Sequence, residues 1–508
     1  SAQDPAGAPL SGYAFLATNV DELSNALKNA INIIANSYSF TASSMSTARI
    51  PSENNSYESS FTPKDSDPFW LGDLKKYTIN SDGSIGGQIW TAGSSLAGKD
   101  HASRSMWTYK GSLTAFSTGN ITPQDVGKAS SDTAGRDLVV NYIRGNPAYN
   151  PDAWKLGDIW HSNPLVITSP SPYFVDQIDG LNAFESFRTS HQRPSGGGRV
   201  VVAGANDGQF HAFDASNGDE YFSFIPPNLL PKLKSIAHSS HPTSLTHQFF
   251  VDGPITAADV WLGSGSGTSK NSSDWKTLVI FGLGRGVTST GMSGEPTGYL
   301  WSASSNCIPT SSTAPYGYSQ TYTSGYEYCG YYAFDFTTTT SPAWKWKLNP
   351  TSSDNAYLGE PWSQMAIGRV KIAGNERWVG FIGGGDYTRS SCTGSSSPPT
   401  GDFGRGFFVV DLSNGSIIWR YTRATNSAMA RVPAPPAIID TDNDGFIDAA
   451  YVGDTDGNMW RFKFCKGTDT SSCGTGNWTG SKLFDASGHI RPIYSGAAIA
   501  KDTSGNMW

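Results

Sequence analysis

A strand–turn–strand unit that recurs along the chain at unequal spacing constrains the fold more than any other feature. It runs first as Arg199-VVVAGANDGQFHAFDASNGDEYFSF-Ile225. The second copy is Thr277-LVIFGLGRG-Val287, resumed at Gly330-YYAFDF-Thr337 and Ala343-WKWK-Leu348. The third is Arg377-WVGFIGGGDY-Thr388, resumed at Gly404-RGFFVVDLSNGSIIWRY-Thr422, and the fourth is Asp448-AAYVGDTDGNMWRFKF-Cys465. A fifth opens at Pro492 and runs to Trp508. Each begins with an apolar strand, makes a Gly-rich turn and returns through aromatic and small residues, usually to an Asp. A unit of this kind cannot cover both of its faces alone, so copies must stack around an axis as the blades of a propeller. The insertions 287–329 and 388–403 then fall on loops, and the segment 66–170 supplies further blades. The expected fold is all-β, a propeller of about seven blades, cut short at the C-terminal end.

Composition agrees with a turn-rich, strand-rich chain: Gly 56 and Trp 16 in 508 residues, with only 16% charged residues. A net charge of −7 gives no basic footprint for nucleic acid. No apolar run is long enough to span a bilayer, so an integral membrane protein is not expected.

Two amphipathic helices stand outside the repeat. One covers 20–34, with Val20, Leu23, Leu27, Ile31 and Ile34 on one face and Asn19 as N-cap; the other covers 133–144 and ends at Gly145. The first has nothing near it in sequence to cover its apolar face and reads as the remnant of a preceding domain. The Ser/Thr/Asn-rich stretch 37–62 reads as a linker, giving a division into 1–62 and 63–508. Trp70–Ile79 and Gln88–Ala92 read as a hairpin around Ser81-Asp82-Gly83. Both ends of the chain read as cuts.

Cys465 and Cys473 bracket a short Gly/Thr/Ser loop, and Cys307 and Cys329 flank a Tyr/Thr/Ser-rich insertion. These are the disulfide candidates, with Cys392 left over. The pattern leans toward an oxidising, extracytoplasmic compartment.

The sharpest chemical signal is Asp440-Thr-Asp442-Asn-Asp444-Gly445-Phe446-Ile-Asp448. Carboxylates at positions 1, 3, 5 and 9 alternate with other residues, Gly445 allows the sharp bend at position 6, and Phe446 offers its carbonyl at position 7. Pairs of carboxylates ~5 Å apart repel by roughly 3 kcal/mol at an effective dielectric near 20, and a divalent cation reverses that sign. Position 12 is Tyr451 in place of Glu, and strands rather than helices flank the loop. The expectation is an EF-hand-like Ca²⁺ loop between strands. Mg²⁺ demands tighter octahedral geometry.

Other motifs favour bland readings. Gly282-Leu-Gly284-Arg-Gly286 precedes no helical pattern and reads as a turn, not a phosphate cradle. Asp454-Thr-Asp456-Gly457 and Asn206-Asp207-Gly208 read as hairpin turns. His238, His241 and His247 fit no zinc spacing and read as a surface loop. No nucleophile–base pair is identifiable, so a non-catalytic role is preferred. The Asp411, Gly415, Trp419 pattern is similar to quinoprotein dehydrogenase propellers, with Trp419 docking neighbouring blades. A periplasmic quinoprotein oxidoreductase is the alternative reading.

Taken together, Trp70-LGD-Leu74, Leu156-GDIWHSNPLV-Ile167, Val202-AGANDGQFHAFD-Ala215, Phe281-GLGR-Gly286 with Tyr332-AFDF-Thr337, and Asp440-TDNDGFIDAAYVGDTDGNMWR-Phe462 resemble the C-terminal region of PilY-type proteins. These are type IV pilus biogenesis factors and tip-associated adhesins. The resemblance covers roughly 66–508, and 13–36 resembles the closing helix of the von Willebrand A-like domain that precedes this region in the family. It implies a modified quinoprotein-like propeller with one Ca²⁺ held by Asp440, Asp442, Asp444, Asp448 and the Phe446 carbonyl. It also implies control of pilus extension against retraction, and a place at the pilus tip, the cell surface, the periplasm or the outer membrane. The implied partners are major or minor pilins and a host or surface ligand. No Arg-Gly-Asp triplet occurs in this chain, so adhesion through that motif does not carry over. No D-x-S-x-S metal site occurs either.

Overall fold

In the computed structural model, residues 44–45, 55–64, 67–150, 152–238, 247–290, 296–300, 302–303, 305–308, 327–387, 401–469, 471–486 and 491–500 are described. The expected helix at 20–34, with its cap Asn19, and the residues Cys392 and His241 lie outside them.

The repeat becomes a series of sheets laid down in chain order. Strands β1 (Ser44–Met45), β2 (Asn55–Thr62), β3 (Leu71–Ile79) and β4 (Ile85–Thr91) form the first. The second runs β6 (Leu113–Ala115), β5 (Met106–Tyr109), β10 (Glu220–Phe224), β9 (Phe210–Asp214), β8 (Val200–Gly204), β7 (Leu165–Ile167). The third runs β11 (Ile255–Trp261), β12 (Trp275–Gly282), β17 (Tyr331–Asp335), β18 (Ala343–Lys347). Two short hairpins lie within its insertion, β13 (Thr288–Thr290) with β14 (Pro296–Tyr299) and β15 (Ser302–Ala303) with β16 (Glu327–Tyr328). The fourth is β19 (Ala366–Ile372), β20 (Asn375–Gly383), β21 (Gly406–Asp411), β22 (Ile417–Thr422). The fifth is β23 (Ala437–Ile439), β24 (Ala449–Gly453), β25 (Met459–Lys463), β26 (Thr479–Phe484). Neighbouring strands are antiparallel except β5 and β10, which run parallel.

Strands such as β8 (VVVAG) and β9 (FHAFD) are buried at every position. Both faces of these strands are covered, because neighbouring sheets share cores. One apolar cluster joins the first and second sheets, a larger one runs through the second, third and fourth, and another joins the fourth and fifth. Equivalent aromatic stacks bridge successive sheets: Phe210 on Phe281 at 4.2 Å, and Phe407 on Phe462 at 4.0 Å.

A second link repeats. In the turns Asp214–Gly218 and Asp411–Gly415 the Asp carboxylate accepts from the backbone N–H two residues on, Ser216 or Ser413, at 2.7 and 2.8 Å. The Gly N–H closes each turn onto the Asp carbonyl at 2.8 Å. An indole from the preceding sheet docks there: Trp90 Nε1 donates to the Ala215 carbonyl at 3.2 Å, and Trp346 Nε1 to the Leu412 carbonyl at 2.8 Å. Trp419 of β22 does the same packing task against the fifth sheet, touching Phe462, Phe464 and Trp478. Gly415 has φ +75°, and a Cβ there would lie 2.9 Å from the Trp346 ring. Gly415→Ala combines a left-handed backbone with a steric clash, so a loss of roughly 2 kcal/mol is expected, read as a lower denaturant midpoint.

Three expectations need correction. The linker 37–62 ends too late: Asn55–Thr62 is strand β2, paired with β3 from Asn55↔Thr78 to Thr62↔Leu71. Its Ser-rich composition conceals an alternation that buries Tyr57, Ser59 and Phe61. The segment 66–170 adds no sheet of its own, only two strands of the first sheet and three of the second, so the described residues hold five sheets of four or more strands against about seven expected. The fifth repeat copy has no strand over 491–500; Ile493 N–H donates to the Asp454 carbonyl and its side chain packs over Gly453. The rest of that copy lies outside the described residues.

The helix Thr133–Arg144 forms where the periodicity places it, capped by Asp132 on Gly135 N–H and ended by Gly145 at φ +79°. The hairpin around Ser81–Gly83 also forms, with β4 beginning at Ile85. Disulfides join Cys307 to Cys329 and Cys465 to Cys473, with Cα atoms 5.8 and 5.9 Å apart. No helix among the described residues is long and apolar enough to cross a membrane.

Candidate metal centre

The acidic loop is the connection between β23 and β24, which pair up to Ile439↔Ala449 and leave 440–448 projecting from the end of the fifth sheet. Two left-handed residues, Asn443 at φ +59° and Gly445 at φ +90°, fold the chain back on itself. The fold-back brings carboxylate oxygens of Asp440, Asp442 and Asp444 within 4.8 Å of one another. Backbone donors hold two of them in place. Asp440 accepts from the N–H groups of Asp444 (3.2 Å) and Gly445 (2.7 Å), and Asp444 accepts from Phe446 (2.8 Å) and Gly467 (2.6 Å). Asp442 is exposed and has Lys466 Nζ at 3.4 Å.

Asp448 is not part of that cluster. It is buried, and its Oδ2 takes both the N–H (3.0 Å) and the hydroxyl (2.6 Å) of Thr441, closing the neck of the loop. Burial pushes its carboxyl upward, and the two Thr441 hydrogen bonds offset part of that push. The Phe446 ring is buried under the Arg369 guanidinium at 5.4 Å. Sequence reasoning missed Arg369, whose Nε donates to the Gly445 carbonyl at 2.6 Å. It also missed Gly467, tied from its other side by Lys371. Neither lies in the loop, and no local pattern marks them.

The donor set fits a hard cation. Three carboxylates converge with oxygen donors only, on a loop already bent by its own backbone bonds, and such a set suits Ca²⁺ rather than a thiolate- or imidazole-seeking metal. Asp440, Asp442 and Asp444 would hold the ion, with the Phe446 carbonyl and Asp448 as the remaining candidates.

The other motifs resolve into structure. Asp454 is fully buried in its hairpin turn and accepts from the N–H groups of Ala430, Asp456 and Asn458 and from Trp460 Nε1. Asp207 caps its own turn through Gln209 N–H and also bonds His211. Gly284–Val287 is a single short turn, and a Cβ on Gly284 would sit 2.9 Å from Gly253. His238 and His247 have separate carboxylate partners, Asp67 at 3.3 Å and Asp158 at 2.8 Å.

Residues 350–504, which contain the whole acidic loop, match the family model of the PilY1 beta-propeller domain. Over that span the chain is similar to the PilY1 β-propeller domain. The PilY1 likeness extends further. The type IV pilus biogenesis factor PilY1 of Pseudomonas aeruginosa strain UCBPP-PA14 is 27% identical over 429 residues, covering 80% of this chain and 30% of that protein. PilY1 of strain PAK is 24% identical, covering 81% and 31%. A PilY1 homolog of Xylella fastidiosa is 25% identical, covering 77% and 26%. The chain thus spans about three tenths of the length of these PilY1 relatives. Among solved structures, the crystal structure of the P. aeruginosa PilY1 C-terminal domain aligns with a TM-score of 0.42 at 18% identity, over 67% of this chain and 57% of that one. A europium-containing methanol dehydrogenase aligns with a TM-score of 0.32 at 9% identity, over 90% and 63%.

Proposed function

We propose that this chain is the Ca²⁺-binding propeller of a type IV pilus biogenesis factor. It works without catalysis, outside the cytoplasm, at the pilus tip or cell surface. It meets pilins there and, through them, biases pilus extension against retraction. The observation that supports this most is the convergence of Asp440, Asp442 and Asp444 within 4.8 Å, inside the segment that matches the PilY1 propeller. The two disulfides support an oxidising compartment.

Calcium would supply charge neutralisation and order, not chemistry. At a free concentration 100 times its dissociation constant it stabilises the folded form by about 2.7 kcal/mol. That is enough to set the shape of one loop and too little to move a pilus by itself. The expected result is saturable Ca²⁺ binding in calorimetry, one ion per chain, with Mg²⁺ competing weakly. Cells carrying the Asp444→Ala protein should differ in surface pilus number from wild type under equal expression. Unchanged piliation with calcium binding lost would remove the regulatory part of the reading. Turnover of an alcohol or sugar after adding a quinone cofactor would replace the reading with an oxidoreductase.

A further inference from the structure

The calcium loop does not end at its own residues. Arg369, in the middle of β19, reaches it three ways: its backbone carbonyl accepts from Ile447 N–H at 2.8 Å, its Nε donates to the Gly445 carbonyl at 2.6 Å, and its guanidinium covers the Phe446 ring. The same guanidinium points its Nη1 at Asp176 Oδ1, 2.7 Å away. Asp176 also binds Lys270, and Lys270 binds Glu376 Oε1 at 2.7 Å. The side chains of Asp176, Lys270 and Glu376 are fully buried and that of Arg369 is 6% exposed. Lys270 further lies 4.9 Å from the Trp261 ring.

Asp176 belongs to a surface segment that owes its shape to this cluster. Lys270 N–H donates to Asp179 Oδ1, Gly180 N–H donates to the Thr268 carbonyl, and Asp179 accepts from Ala183 N–H at the start of the helix Ala183–Ser190. The segment exposes Tyr173, Val175 and Leu181, and a cavity of about 320 Å³ lies between it and the loop, lined by Phe174, Gln177, Asp440 and Asp444 among others.

We propose that Arg369 is a positioning residue that couples occupancy of the calcium loop to the order of segment 174–181. The proposal rests on the metal reading above. Arg369 cannot follow the Gly445–Phe446 peptide without changing its hold on Asp176, and letting go leaves the single Lys270 cation to serve two buried carboxylates, Asp176 and Glu376. The two sites therefore bias one shared element, and the bias is reciprocal: whatever orders 174–181 must also tighten calcium.

The test uses the full chain and hydrogen exchange read by mass spectrometry, with and without CaCl₂, beside calorimetry. In wild type, calcium should slow exchange over both 440–448 and 174–181. Asp176→Asn leaves every candidate ligand in place, so calcium should still bind, within about tenfold of wild type, while protection of 174–181 is lost. Arg369→Lys keeps a cation but cannot serve Gly445 and Asp176 together; the two segments should then respond independently, with exchange over 200–214 unchanged as the folding control. Calcium binding with an unresponsive wild-type 174–181, or an Asp176→Asn protein whose segment still responds fully, overturns the coupling alone. Failure of wild type to bind calcium overturns the metal reading and the coupling with it.

Discussion

Asp444→Ala is expected to weaken calcium binding more than about a hundredfold, or roughly 2.7 kcal/mol, and to abolish any rise of the melting temperature with calcium. The residue does more than lend a charge. One of its oxygens takes Phe446 N–H and the other takes Gly467 N–H, so it fixes both the bend of the loop and its contact with the segment after β25. Removing it frees two backbone donors and leaves Asp440 and Asp442 as the convergent carboxylates. Asp444→Asn separates the contributions in part: its one amide oxygen can still accept from Phe446 N–H, but the charge and the acceptor for Gly467 N–H are both lost. Its calcium affinity should fall nearly as far, while its calcium-free stability falls less than that of Asp444→Ala. Equal calcium affinity in wild type and Asp444→Asn would place the ion elsewhere.

The second large effect is one of pH, and it resides in the second sheet. His211 lies between Asp207 Oδ2 (3.0 Å, through Nε2) and Glu220 Oε1 (2.9 Å, through Nδ1), and Arg104 clasps the same Glu220 with two hydrogen bonds of 2.9 and 2.8 Å. All four side chains are buried. Burial alone would lower the His211 pKa, but Asp207 and Glu220 outweigh it and hold the imidazole at about 9. Burial alone would raise Glu220, and Arg104 and His211 more than reverse that, keeping it well below the usual carboxylate range. A histidine raised on folding contributes stability that is complete below its unfolded value near 6.5 and disappears as pH climbs through 9. The depressed Glu220 works the other way, its contribution present above about 4.5 and lost in acid. Denaturant midpoints should therefore fall between pH 6.5 and 9, by an amount on the order of 3 kcal/mol from His211. His211→Asn should be less stable at pH 6 and flat across that window. Parallel alkaline slopes in the two proteins would show that the imidazolium is not the group responsible.

What could be read beforehand depended on how far apart in the chain the partners lie. The loop was legible because its carboxylates, its glycine and its flanking strands occupy consecutive residues. Asp448 shows the limit of that reading: position 9 is right for a ligand, but the structure gives one of its oxygens to Thr441, a choice made by burial that spacing does not encode. Strand β2 escaped notice because serine at buried positions imitates a linker, and only its pairing with β3 reveals the alternation. The Asn-Asp-Gly triplet marks Asp207 as a turn residue, yet its bond to His211 belongs to a network that closes on Arg104, far back in the chain. Arg369 sits inside an otherwise ordinary edge strand, AIGRVKI, whose pattern shows nothing of Gly445 or Asp176. Such residues are found only once the sheets are in place.

The indole clasps also have a direction. Trp90 precedes its acceptor Ala215 in the chain, Trp346 precedes Leu412, and Trp419 precedes the residues it covers in the fifth sheet. At these three junctions the latch belongs to the earlier sheet and its catch to the later one, so truncating the chain after the first, third or fourth sheet would leave a bulky indole with no partner to cover it.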